Sequence, residues 1–485
     1  LSLYKSLFKQ TAIYGIATVV PRIFSFLLTP LYTDQLPEEE YGEISLIFAC
    51  MAFFNVILAY GMETAFFRFY NSDDKNKVLS TSMVSLFVSS LSFLIVALFF
   101  RSFFAEALNT SVEYVIYNIW ILALDALVII PFARLRAQGK PKFYALLKIG
   151  NVAVNLFFNV FFLIFLPRLA KQAPDGFWVS VYQPGYEIGY IFISNVIASL
   201  LTLLVLLPDY FKTTWQLDKK LWKRMMQYSI PVLIAGIAFV INETFDRIFL
   251  EHLLPAGIAK AEIGIYSACY KLAVFMTLFA TAFRLGIEPF FFSHAKNENA
   301  PQTYALITKY FVIFGSAILL GVVVFSDILK IIMVRRESYW EGMKVVPLVI
   351  IANFFLGIYH NLSVWYKLSD KTKIGAYISI AGAVVTIVLN FTLIPIWSYM
   401  GSAVATISAY GTMMLISYIL GNKYYPIPYD MKKISSYLGI SIVLSLVYFY
   451  YFRENYFFGV AAIAFYGWLI YFWEKETLLR ILKRS

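Results

Sequence analysis

From residue 10 to residue 473 the chain repeats one pattern: a long run that is apolar on every face, then a short break marked by charge, Pro or Gly. An apolar stripe at helical period would predict surface helices, and alternation would predict strands. Continuous runs of about 20 residues predict helices that cross the hydrocarbon of a bilayer. The first six cover residues 10–32, 44–69, 78–100, 114–135, 143–166 and 186–207. The next six cover 229–250, 263–290, 305–326, 343–366, 374–394 and 401–421, and two more follow at 433–451 and 456–473. At about 22 residues the first run is too long for a signal-peptide core and lacks a small-x-small cleavage site, so it is expected to stay as helix one.

Composition agrees with lipid as the solvent. The 485 residues are 60% hydrophobic and 14% charged, too few polar groups to cover a soluble protein. The net charge of +11 would suggest nucleic acid in a soluble chain, but here the basic residues lie in short loops and read as topology signals, so no nucleic-acid partner is expected. Cys50 and Cys269 both sit inside apolar runs, which leaves no disulfide framework and no C-x-x-C metal or redox site. With the N-terminus in the cytoplasm, Lys75, Lys77 and the basic residues of 134–142, 212–224, 367–373, 423–433 and 475–484 all fall inside, which makes both termini cytoplasmic. One outer loop, 327–344, dissents with Lys330, Arg335 and Arg336 beside Asp327, Glu337 and Glu341.

No loop exceeds about 25 residues, so a soluble catalytic domain has no room. P-loop and zinc-protease motifs are absent, and the only histidines are His252, His294 and His360, so the protein reads as neither an enzyme nor a metalloprotein.

The two halves resemble each other. Tyr41, Gly42, Glu43, Ile44 and Ser45 open helix two as Ile263, Gly264, Ile265, Tyr266 and Ser267 open helix eight, each after a Leu-Pro pair, Leu36-Pro37 and Leu254-Pro255. Residues 140–159 match 371–390, and 189–199 parallel 401–408. Six helices repeated in one orientation imply a pseudo-two-fold axis along the membrane normal. The organisation is therefore an N-terminal lobe at 1–207, a cytoplasmic linker at 208–228, a C-terminal lobe at 229–421, and helices thirteen and fourteen with a tail at 422–485.

Residues 26–45, the stretch Gly61, Met62, Glu63, Thr64 and Ala65 running to Arg68 and Phe69, and the small-residue stretch from Met400 to Thr406 together resemble the polysaccharide transporter branch of the multidrug/oligosaccharidyl-lipid/polysaccharide exporter superfamily. The resemblance covers nearly the whole chain. It implies two six-helix lobes around a cavity that opens to one side at a time, an ion gradient (H+ or Na+) or membrane potential as energy source, and no further cofactor. It also implies translocation of a polyprenyl-pyrophosphate oligosaccharide, with undecaprenyl pyrophosphate the bacterial carrier, in a bacterial inner membrane. The extra helix pair is similar to the lipid-tail groove of the related lipid II flippase.

Charge inside a membrane costs at least about 2.5 kcal/mol, so ionisable residues near mid-span are functional candidates. Arg22 follows Pro21 in helix one; Arg68 closes helix two; Lys271 and Arg284 lie in helix eight, Lys271 where the resemblance implies a basic cavity residue. These four are the candidates for pyrophosphate. Their bland readings are snorkelling for Arg68 and a pair with Glu288 for Arg284. Helix seven holds Asn242, Glu243, Asp246 and Arg247, where a Glu243–Arg247 bridge would leave one carboxylate free for ion coupling; the bland reading is a tie to a neighbouring helix near the outer interface. Glu63 and Asp125 are further acids, while Lys148 and His360 carry less weight.

The expected function is flipping of a lipid-linked oligosaccharide for O-antigen, capsule or exopolysaccharide assembly, with membrane lipid, a polymerase and glycosyltransferases as partners. An ion-coupled drug antiporter or a lipid II flippase is the alternative within the superfamily, and a membrane-embedded glycosyltransferase or polymerase is the enzyme alternative.

Overall fold

A computed structural model describes residues 2–294, 298–369 and 371–482. Among them fourteen helices are long and apolar enough to span a membrane. These are α1 (Gly15–Gln35), α2 (Glu38–Tyr70), α3 (Lys75–Phe99), α4 (Val112–Ala137), α5 (Pro141–Gln172), α6 (Glu187–Phe211) and α7 (Lys219–Leu253). The remainder are α8 (Ala256–Ile287), α9 (Ala300–Val324), α10 (Glu337–Leu368), α11 (Thr372–Trp397), α12 (Tyr399–Tyr424), α13 (Met431–Tyr451) and α14 (Tyr456–Lys475). Each contains most of a predicted run, but several start earlier, because the helical backbone continues past the apolar stretch into the polar interface. The clearest case is α7, which begins at Lys219 rather than 229: the Asp218 side chain caps it, accepting from the backbone N–H groups of Lys220 and Leu221 at 3.0 Å each.

The chain packs as two compact units, Leu1–Gly264 and Ile265–Ser485. This boundary falls later than the repeat-based one at 208–228, because α7 packs along both segments of α2 and against α3.

In the first unit α2 is broken. Tyr60 and Gly61 have φ of +31° and +71°, a left-handed turn that ends Glu38–Ala59 and restarts as Met62–Tyr70. A Cβ on Gly61 would lie 2.6 Å from the Ser229 carbonyl oxygen of α7, so close approach as well as φ calls for glycine. The break re-aims the segment that carries Glu63 and Arg68. At the other end of α2 the two repeat-related glycines meet. A Cβ on Gly42 would sit 1.8 Å from the Lys260 carbonyl oxygen, and one on Gly264 would sit 2.0 Å from that of Glu38. Lys260 precedes Gly264 by four residues as Glu38 precedes Gly42, which is the reciprocity an isologous contact requires.

In the second unit α10 is the most enclosed helix, consistent with its being apolar all round. Helices α13 and α14 lie against α9 and are pinned at both ends. At one end buried Glu474 receives Lys309 at 2.7 Å and Lys433 at 3.1 Å. At the other, buried Asp327 receives Lys330 at 2.6 Å and Arg453 at 2.7 Å. Lys330–Asp327 and Lys344–Glu341 thus neutralise two of the positive charges in the loop that dissents from the charge bias.

The repeat is also legible in hydrogen bonding. Asn159 in α5 and Asn390 in α11, equivalent by the 140–159/371–390 match, are both fully buried, and each donates to the carbonyl four residues back, Asn155 at 2.9 Å and Thr386 at 2.7 Å.

Candidate functional site

The first unit holds a column of polar side chains within its apolar bundle. Asn151, Asn155 and Asn159 recur every four residues on α5 and so share one face. The Tyr32 hydroxyl of α1 donates to Asn159 Oδ1 at 2.8 Å; Asn159 Nδ2 also donates to Asn155 Oδ1; Asn155 donates to Asn195 Oδ1 of α6 at 2.6 Å. Asn151 donates to the Thr202 hydroxyl at 2.9 Å, and Ser199 on the same helix donates to Asp125 Oδ1 of α4 at 2.7 Å. Three separate hydrogen-bonded groups thus tie α1, α4, α5 and α6 together, Tyr32–Asn159–Asn155–Asn195, Asn151–Thr202 and Ser199–Asp125, and Asp125 is the acidic member of the last. Lys148, also on α5, sets its ammonium 4.3 Å above the Phe132 ring.

In the helix-seven cluster Arg247 bonds its chain neighbour Asp246. Arg247 Nη1 bonds Asp246 Oδ1 at 2.7 Å and reaches the Glu243 carbonyl oxygen at 3.2 Å, while the Arg247 N–H donates to the same Asp246 oxygen at 2.9 Å. The guanidinium thus folds back along its own helix, bridging Asp246 and the Glu243 backbone. Asn242 and Asp246 are buried, while Glu243 is half-buried. At the Glu38 end of α2 in the same unit Lys260 pairs with Glu43 at 3.1 Å and also donates to the Asn109 carbonyl oxygen, and Thr110 donates to Glu43.

Of the other candidates in this unit, Arg22 is exposed in α1, and Glu63 forms a partly exposed pair with Arg136 at 2.8 Å, near the end of α2 rather than in the polar column. Arg68 is exposed and stacks 4.4 Å above the Tyr228 ring. In the second unit Lys271 is exposed and opens the 3-10 turn Lys271–Ala273 that interrupts α8, a local break that brings the charge to a discontinuity of the helix. Arg284 is half-buried and, with Lys367, is among the charges that act on His360. Its suggested pair with Glu288 lies outside the described residues, since the Glu288 side chain is among those not described. No group of three or more His, Cys, Asp or Glu with metal-binding geometry occurs among the described residues.

The asparagine column went unread in the sequence although its four-residue spacing on α5 was visible there. Asn carries no charge, and hydropathy alone does not separate an inward face from a lipid-facing one.

With this geometry in place, comparison with known proteins locates the chain. A family model described as "Polysaccharide biosynthesis protein" matches residues 7–284. The chain is 19% identical over 406 residues to the Lsg locus putative protein 1 of Haemophilus influenzae, spanning 81% of this chain and 94% of that one. It is 23% identical over 213 residues to an uncharacterized membrane protein of Methanocaldococcus jannaschii, spanning 43% of this chain and 48% of that protein, about half its length. In fold it is similar to the lipid II flippase MurJ in an inward closed conformation, with TM-score 0.72 and 16% identity over 95% of this chain and 99% of that one. It is also similar to an inward-facing MATE multidrug resistance transporter of the MOP superfamily, with TM-score 0.64 and 11% identity over 88% and 95%. These likenesses show a shared all-α, two-lobe membrane fold.

Proposed function

The chain belongs to the polysaccharide biosynthesis protein family, and from that premise we propose that it is a flippase for a polyprenyl-pyrophosphate-linked oligosaccharide. It moves this cargo from the cytoplasmic to the outer leaflet of a bacterial inner membrane by alternating access, serving O-antigen, capsule or exopolysaccharide assembly. The observation that carries the reading is the helix pair beyond twelve. Helices α13 and α14 are tied to α9 through Glu474 and Asp327, and the fold likeness runs over 99% of a lipid II flippase. A drug-sized cargo needs no such addition, whereas a polyprenyl tail needs an apolar surface to follow.

In this reading Arg22, Arg68, Lys271 and Arg284 supply positive charge to the pyrophosphate, through charge-assisted bonds roughly twice as strong as neutral ones. Asn242, Glu243, Asp246 and Arg247, with Asp125, form the polar groups through which H+ or Na+ couples to lobe movement. Glycosyltransferases supply the cargo and a polymerase consumes it.

Replacing Arg22 or Lys271 with Ala should abolish surface polysaccharide in a deletion strain while the membrane level of the protein stays unchanged. Full complementation by both variants sinks the anionic-cargo reading. The MATE-like fold supports a second reading, a cation-coupled drug antiporter; a deletion strain that accumulates cationic dyes while keeping its surface polysaccharide would favour it.

A further inference from the structure

The restart of α2 after Gly61 brings Met62–Tyr70 against the first turns of α7, and between them lies a cavity of about 590 Å³ lined by Arg68, Phe69, Ser72, Arg224, Gln227 and Tyr228. Its volume is within the range of small-ligand sites, roughly 300–1,000 Å³. Helical spacing explains why these side chains converge. Arg224, Gln227 and Tyr228 are three and four apart on α7, and Arg68 and Ser72 are four apart across the end of α2.

The two arginines are held in different ways, and both leave donors for a ligand. Arg68 sits over the Tyr228 ring, 4.4 Å from its centroid, and has no ion pair among the described residues, so its N–H donors are open to a ligand. Arg224 is gripped by Asp73, Nη1 to Oδ1 at 2.8 Å and Nη2 to Oδ2 at 3.4 Å, and lies 5.0 Å over the Phe69 ring. Ser72 donates to Asp73 Oδ2 at 2.8 Å, which fixes the carboxylate that aims Arg224. The Arg224 guanidinium holds the Asp73 carboxyl below the usual carboxylate range, so the grip persists at neutral pH. One carboxylate against two guanidiniums leaves the lining net positive. Lys75, whose ammonium lies 5.4 Å over Tyr70, and Lys220 and Lys223 on the first turns of α7 add to the field.

We propose that Arg68, Arg224, Ser72, Gln227 and Tyr228 form a loading site for the phosphate-bearing headgroup of a lipid at the basic, inner-leaflet end of the first unit. Stacked and carboxylate-braced guanidiniums are preorganised to present planar pairs of donors to phosphate oxygens, so little side-chain entropy remains to be lost on binding. Two lipids share the required chemistry: the pyrophosphate of the cargo and the headgroup of an anionic phospholipid. The identification of the occupant as cargo rests on the flippase reading; the site itself does not.

The test is hydrogen–deuterium exchange of the full chain in phosphatidylcholine nanodiscs, with farnesyl pyrophosphate as the probe. Peptides covering 68–73 and 224–228 should exchange more slowly with the probe. Arg68→Gln and Arg224→Gln should each raise the half-saturating concentration about tenfold. Gln227→Glu, an exposed position that leaves the Arg224–Asp73 grip untouched, should weaken binding in the same direction and guards against misfolding of the arginine variants. Protection that appears in phosphatidylglycerol nanodiscs without the probe, and is lost in the same variants, supports the site with a bulk headgroup as occupant. Absence of protection with either lipid, or protection indifferent to all three substitutions, overturns the proposal. Because Arg22 and Lys271 are scored separately by surface polysaccharide, failure here and failure of the flippase reading are distinguishable.

Discussion

At the scale of single residues, the strongest constraint in the first unit is a hydrogen bond that two helices share away from water. Asn159 accepts from Tyr32 and donates to the Asn155 side-chain oxygen, so its removal leaves the Tyr32 hydroxyl and that oxygen without this partner in the bundle. Tyr32→Phe removes one donor and should cost on the order of 0.6 kcal/mol, the mean for interhelical bonds in membranes. Asn159→Ala strands partners on two helices and should cost more, about 1–3 kcal/mol. Unfolding of the purified variants in detergent checks the order; equal losses would mean that Asn159 acts only by filling space. Arg247 teaches a related lesson. Spacing of four residues points Arg247 at Glu243, and the guanidinium also bonds Asp246, because a long side chain reaches several neighbours.

At the scale of elements, α13 and α14 depend on two shared carboxylates. Burial pushes the Asp327 carboxyl up, but hydrogen bonds from Arg453 and Lys330 outweigh burial and hold it below its ordinary value. A folded-state pKa below the unfolded one contributes stability above the unfolded value, near about 3.9, and that contribution is lost as pH falls through the folded value. Wild type and Asp327→Asn should therefore differ most in melting temperature at neutral pH and converge below about pH 4. A constant gap across that range would assign Asp327 a role in packing rather than charge. The helices themselves were legible in the chain, since fourteen apolar runs became fourteen spans. Their ends were not: Asp218 extends α7 by capping it, and the break in α2 at Tyr60 and Gly61 shows only once α7 is seen to press on it.

At the scale of the whole molecule, an even number of spans returns the chain to its starting side, and from the positive charge of the loops on that side we propose that it is cytoplasmic. A fluorescent protein fused after residue 485 should fluoresce, and alkaline phosphatase inserted near residue 398 should be active; the reverse pattern would invert the topology and place the headgroup cavity on the outer leaflet. The sequence by itself determined the solvent, the number of spans, the duplication and the family resemblance, because each depends on runs or repeats of residues along the chain. Tertiary structure alone decided which polar groups meet: the asparagine column, the Arg68–Tyr228 stack, the Asp246–Arg247 pair and the reciprocal approach of Gly42 and Gly264. The physical reason is that hydropathy measures how a segment partitions between water and lipid, and partitioning is blind to rotation about the helix axis. Which face turns inward is settled only when helices pack and each buried polar atom must find a partner.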